Sequence, residues 1–151
     1  MVLRGCLEFG LYSAFMAGDP DRQRRWLSRS DSPENRKRFR KEFTAAATLK
    51  AAEERSTRVG AVARSLYEHL IDYGAHPNDL GLGATTTASE TTEVFRLDAS
   101  YIVGDGVLAR GSLKTAARVG ICTLWLFAFV FSERFRILGI DTDCERLSEG
   151  L

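Results

Sequence analysis

Histidine and proline are scarce in this chain of 151 residues: two histidines, His69 and His76, and three prolines, Pro20, Pro33 and Pro77. So few histidines exclude most histidine-dependent chemistry. A nucleophile–histidine triad would have to use one of the two, with a partner that the pattern does not single out. Cysteine is equally sparse. Cys6, Cys122 and Cys144 are odd in number, far apart and in no Cys-x-x-Cys pair, so neither a disulfide framework nor a zinc ribbon is supported. Cys6 and Cys122 sit in apolar runs and read as small core residues, which fits a reducing, cytoplasmic setting. The nucleophile elbow, the glycine-rich phosphate loop and the zinc-protease motif are all missing. The net charge is only +1, so the molecule as a whole is no polycation that would seek nucleic acid or anionic lipid. Met1 leads straight into an amphipathic pattern containing Arg4 and Glu8, and no signal peptide is expected. The one long apolar run, Val119 to Phe131, would span about 20 Å as a helix where a bilayer core needs about 30 Å. No membrane span is expected from it.

What is present describes a globular protein. Hydrophobic residues make up 44% and charged residues 27%, ordinary values for a packed domain. A chain of this length is one domain, residues 1–151, and buries roughly two thirds of its unfolded surface. Charge is distributed unevenly. Arg22, Arg24, Arg25, Arg29, Arg36, Lys37, Arg38, Arg40 and Lys41 crowd one stretch, whereas Glu133, Asp141, Asp143, Glu145 and Glu149 gather toward the C-terminus.

Apolar spacing predicts helices through most of the chain. Leu3, Cys6, Leu7, Leu11, Ala14 and Phe15 define a first helix over about Val2 to Ala17, closed by Gly18. No capping residue precedes it, as expected of a helix that begins upstream of Met1. Asp19-Pro20 and Ser32-Pro33-Glu34 each read as N-cap plus first helical position. Between Pro33 and Tyr73, one apolar face carries Phe39, Phe43, Ala46 and Ala47, and another carries Val59, Val62, Leu66, Leu70 and Tyr73. Two helices with a turn near Glu53 to Arg58, capped by Ser56 or Thr57, account for them; a single long helix is the alternative. Gly74 and Pro77 end that pattern. Leu80 to Thr92 reads as a loop, and Glu93–Leu97 with Ser100–Val103 as a β-hairpin turning at Asp98-Ala99. A final helix runs from Gly106 to Leu138, about 50 Å, capped by Asp105 and closed by Gly139. Its stretch Ile121 to Phe131 is apolar on all sides, as in a bundle centre or a subunit interface. The expected fold is mainly α: a bundle of about four or five helices with a small β-hairpin before the long C-terminal helix.

Two polar constellations stand out. The first is Arg64-Ser65-Leu66-Tyr67-Glu68-His69. Arginine, four residues and histidine resemble the short motif of HEPN helical ribonucleases, over about half the chain. The resemblance implies a dimer cleft over RNA, with His69 as acid–base on the 2′-hydroxyl and Arg64 on the scissile phosphate. The competing reading is a solvent-facing polar surface, since the pair lies about 140° apart around a helix. The second is Asp72, His76 and Asn78, in a Gly-Ala-His-Pro-Asn turn preceded far upstream by Arg4 and Glu8. It resembles an uncharacterised family of bacterial helical proteins, which implies fold and no chemistry. Arg4 and Glu8, at i and i+4, can pair on one helix face and join His76 either in a structural polar network or in a site with His76 as acid–base and Arg4 as anion binder. His69, Asp72 and His76 at i, i+3 and i+7 raise a metal reading, which the helix end at Gly74 disfavours; no metal or cofactor is expected. The basic run could track phosphates, although Asp21, Asp31, Glu34 and Glu42 dilute it. Trp125, Phe127, Phe129, Phe131 and Phe135 read as core, with a part at an oligomer interface. The chain is expected to be a non-catalytic, self-associating structural or interaction module, most simply a homodimer. The alternative is a HEPN-like, metal-independent RNA-binding protein or ribonuclease.

Overall fold

The computed structural model describes residues 2–75, 86–90, 94–99 and 106–151. Among them are seven α-helices and one two-stranded antiparallel hairpin placed before the long C-terminal helix. The helices are α1 (Val2–Met16), α2 (Pro20–Leu27), α3 (Pro33–Glu42), α4 (Ala45–Arg55), α5 (Thr57–Leu70), α6 (Val107–Leu138) and α7 (Ile140–Ser148). The strands are β1 (Thr86–Glu90) and β2 (Phe95–Ala99). The mainly α fold expected from apolar spacing is therefore the one observed.

Side-chain caps divide the first half of the chain. Asp19 accepts from the Arg22 amide at 2.9 Å and Ser32 from the Asn35 amide at 3.1 Å, each followed by proline at the first helical position. The backbone hydrogen bond from Arg22 holds the Asp19 carboxyl below its ordinary range. Ser56 caps α5 through the Val59 amide at 3.3 Å. Each of these three starts was expected from capping chemistry. A fourth was not. Thr44 accepts from the Ala47 amide at 3.2 Å and opens α4, so the helix expected to run on from Pro33 breaks after Glu42. A further helix, α7, follows Gly139, whose φ of 68° closes α6 in the left-handed region that suits glycine.

The core joins four helices. Leu7, Leu11 and Ala14 of α1 meet Leu49 and Ala52 of α4, Ala63, Leu66, Tyr67 and Leu70 of α5, and Val119, Cys122 and Leu126 of α6. Burial pushes the Cys122 thiol up to about 12, and burial likewise raises Cys144, with Asp143 and Asp141 adding to it. Both are core atoms, as expected of Cys122. α7 folds back along α6, and Lys114 Nζ donates to the Gly150 carbonyl at 3.4 Å.

Three expectations need correction. The hairpin pairs Thr86 with Ala99 through Glu90 with Phe95. The first strand thus comes from the threonine-rich stretch read as loop, and Asp98-Ala99 lies within β2 instead of at a turn. β-Branched threonines suit a strand even in a polar stretch; the polar composition hid it. α6 is not wrapped on all sides either. Val119, Ile121, Cys122, Thr123 and Leu126 are buried, but Leu124 and Phe131 are exposed. The aromatics are core only in part: Phe129 packs against the core cluster, but Trp125, Phe127, Phe129 and Phe135 are half-buried and Phe131 is exposed.

Gly60 marks where α4 and α5 cross most closely. A Cβ placed there would lie 2.5 Å from Glu53 Cα and 2.6 Å from its backbone nitrogen, a contact with main chain that no rotamer relieves. Gly60→Ala should therefore destabilise the protein by about 3 kcal/mol despite alanine's better helix propensity, lowering the thermal midpoint by about 6–12 °C. Thermal denaturation followed by circular dichroism checks this, and an unchanged or raised midpoint would refute the close crossing.

Candidate functional site

Three surface features carry chemistry or recognition: a polar network on α1 and α5, an ion pair between α4 and α5, and an open apolar stripe along α6.

The network begins with Arg4 and Glu8, one turn apart on α1. Arg4 Nε donates to Glu8 Oε1 at 2.9 Å, and its second guanidinium nitrogen donates to the Tyr67 hydroxyl of α5 at 3.1 Å. The Glu8 hydrogen bond raises the Arg4 pKa further above its ordinary value. Tyr12, one turn beyond Glu8, has its phenol pushed up first by burial and then by the Glu8 and Tyr67 charges. Both shifts favour the protonated form, so the Arg4 guanidinium stays charged and the Tyr12 phenol stays neutral near pH 7. Such a cluster fixes packing between helices. Arg4 and Glu8 do pair as their spacing suggested. The partner across the helices is Tyr67, which no spacing rule joins to residue 4. His76 and Asn78, expected beside them, lie outside the described residues. Asp72 is exposed on the single π-turn Ile71–Ala75 that follows α5.

The HEPN-like pair is placed on α5, and each member has another partner. Arg64 Nε donates to Glu53 Oε1 of α4 at 2.7 Å. That bond holds the Glu53 carboxyl below its ordinary range and raises Arg64. His69 is exposed, and its ring lies on Tyr73 with centroids 4.6 Å apart. Glu53 went unnoticed in the sequence because its role exists only once α4 and α5 cross. The metal reading included His76; among the described residues no group of three histidine, cysteine or carboxylate side chains could hold an ion.

The α6 stripe is the largest of the three. Leu113, Ala117, Gly120, Leu124, Phe127 and Phe131 recur at alternating spacings of four and three, which keeps them within about 40° of one line along the helix. Leu113 is 72% exposed, Leu124 37% and Phe131 41%. Ala117 is exposed, and Gly120 and Phe127 are half-buried. The buried residues Val119, Cys122 and Leu126 lie on the opposite side, against α1 and α5. The helix is thus apolar on the face that α1 and α5 cover and again along this stripe, which stays open. Gly120 is informative here. Among the described residues a Cβ there would meet nothing within 4 Å, so their packing does not require glycine, although glycine in a helix interior costs roughly 1 kcal/mol relative to alanine. Ala109–Leu138 is also long and apolar enough to cross a membrane by length and composition, an 18-residue window within it having a mean hydropathy of 1.6. The central helix of a soluble protein meets the same criterion.

No protein-family model, curated protein or solved structure matches the chain.

The Glu53–Arg64 pair sets a pH dependence. The folded-state pKa of Glu53 is depressed, so its contribution to stability is complete above the ordinary glutamate pKa and is lost as pH falls through the lowered one. Glu53→Gln and Arg64→Met should each flatten the acid side of the stability–pH curve and leave the neutral-to-alkaline side parallel to wild type. Urea unfolding from pH 2.5 to 8 measures this; an acid limb identical in all three proteins would show the pair to be absent in solution.

Proposed function

We propose that this protein is a self-associating interaction module that works without catalysis, two copies joining through the open stripe of α6. The observation that carries the reading is the match of that stripe to itself. Laid antiparallel about a two-fold axis near residue 122, Gly120 of one copy faces Leu124 of the other, Ala117 faces Phe127, and Leu113 faces Phe131. Each small residue meets a large one, as knobs-into-holes packing requires, and an interface that uses the same patch on both copies closes at a dimer.

Gly120 then has a purpose that the protomer alone does not supply, close approach at the centre of the contact. A ribonuclease reading through Arg64 and His69 has less support, because Glu53 occupies the arginine.

Size-exclusion chromatography with light scattering should give twice the protomer mass, and Leu124→Glu should give the protomer. Gly120→Leu is the sharper test. It should raise helix propensity in the protomer, by about 1 kcal/mol, yet break the dimer by filling the space its mate needs. A cysteine pair at Gly120→Cys/Leu124→Cys should cross-link residue 120 to residue 124, and a link between two copies of residue 120 would indicate the parallel arrangement instead. A strictly monomeric wild-type protein, or its recovery in the membrane fraction, would overturn the reading.

A further inference from the structure

The basic run between Arg22 and Lys41 is two different surfaces. On α2 and the following turn the cations are occupied. Arg25 makes two hydrogen bonds of 2.7 Å to Glu42, and Arg22 reaches Asp19 at 3.2 Å and lies 4.2 Å over the Phe15 ring. Arg24 pairs with Asp21, and Arg29 lies 3.9 Å over the Trp26 ring while donating to the Trp26 carbonyl. On α3 the opposite holds. Arg36, Lys37, Arg38, Arg40 and Lys41 are all exposed, and among the described residues none of their side chains has a hydrogen bond, ion pair or ring partner. The one acid at that end of the helix, Glu42, is turned inward to Arg25.

Four of these cations line an open cleft of about 550 Å³, together with Ser30, Asp31, Ser32 and Pro33. Arg36 with Arg40, and Lys37 with Lys41, are like charges at i and i+4, a spacing that weakens a helix. The other side of α3 is firmly seated. Phe39 stacks on Phe43 with centroids 4.6 Å apart and meets Tyr12 edge-on at 6.2 Å, and Asn35 Nδ2 donates to the Ser28 carbonyl at 3.1 Å. A rigid helix therefore presents a self-repelling cationic row to solvent.

We infer that this cleft binds the phosphate backbone of a nucleic acid strand without reading its sequence. The cations rise about 6 Å per i, i+4 step along α3, so they can follow successive phosphates. The cleft is open and does not enclose a small anion. Its lining has no aromatic ring on which a base could stack and no amide to read a base edge, which leaves phosphate contact as its chemistry. An anionic membrane is the weaker partner. Surface-bound amphipathic helices place apolar side chains beside their cations, whereas Phe39 and Phe43 of this segment face the protein. The cleft lies on α3, and the inference does not rest on pairing through α6.

The test is fluorescence anisotropy with a labelled 20-nucleotide single-stranded RNA, in parallel with sedimentation on vesicles containing phosphatidylserine. Wild-type protein should bind the RNA, and log K should fall against log salt with a slope of about −3 per cleft, as four neutralised phosphates imply. Arg36→Glu/Lys41→Glu should weaken binding more than about tenfold and flatten the slope. The same double variant converts both repelling pairs into attracting ones, so circular dichroism should show the helix retained. Arg24→Glu/Asp21→Arg, which swaps an occupied pair on α2, should bind as wild type does. No RNA binding at 50 mM salt, equal binding by the α3 variant, or binding to vesicles alone would each overturn the inference. Cleavage of the RNA by wild type and not by His69→Ala would leave this site standing and overturn the non-catalytic reading instead.

Discussion

The burial of one face of α6 against α1 and α5 is the contact on which the rest of the structure depends. α1 can lie on α6 because Gly10 lets the helices approach: a Cβ at that position would already stand 3.0 Å from Leu126 Cδ1 and 3.2 Å from Thr123 Cγ2. Val119, Cys122 and Leu126 fill the space so defined, each fully buried. Thr123 stays buried at no polar cost, since its hydroxyl donates to the Val119 carbonyl at 2.8 Å and accepts a weak bond from the Cys6 thiol at 3.6 Å. α4 and α5 then close over α1 as a second pair. Because α1 reaches only one side of α6, the same contact that makes the core also decides which apolar residues remain outside it.

The helices could be read from the sequence wherever a local rule governs them. Asp19, Ser32 and Ser56 cap, Gly139 closes, and the periodicity of Leu7, Leu11 and Ala14 marks a buried face; each of these signals needs only residues within a turn or two. What was illegible depends on relations between elements. The break at Thr44 lies in a run of good helix formers with no proline or glycine, where a threonine cap competes almost evenly with continuing the helix. β1 was hidden because a two-stranded ribbon need not alternate apolar and polar residues when much of it faces solvent. For the site the contrast is sharper. The Arg4–Glu8 pair is a spacing rule, but Tyr67 and Glu53 take their roles from helix crossings that no window of sequence contains. For α6 the sequence reported apolar residues on every side, and only the position of α1 separates the side that is core from the side that is stripe.

A similar sorting explains the charges. Nine cations within twenty residues look alike in sequence, yet acids within reach occupy some and not others. Glu42 sits at the end of α3 but faces Arg25 and Arg22 of α2, so it neutralises the neighbouring helix and leaves its own uncovered. Seating Phe39 against Tyr12 and Phe43 turns the opposite side of α3 outward, and Arg36, Lys37, Arg40 and Lys41 go with it. The cationic face is therefore a geometric consequence of aromatic packing on the other side of a ten-residue helix.

The kink in α6 bounds the stripe in the same way. Phe131 departs from helical geometry, with φ −116° and ψ 31°, and the alternation of four and three ends there: the next position in the series is Arg134, a charge that would not enter an apolar contact. At the other end the series would begin at Arg110. Two arginines thus bracket six apolar positions on the straight part of the helix, and a straight segment of that length is what two antiparallel copies can share without supercoiling far. Ile137 and Leu138, although exposed, lie beyond the kink and point along a different axis. The extent of the apolar stripe is therefore fixed by charge at both ends and by backbone geometry at one, and in the proposed dimer its centre would fall between Gly120 and Leu124, a missing side chain on one helix opposite a large one on the other.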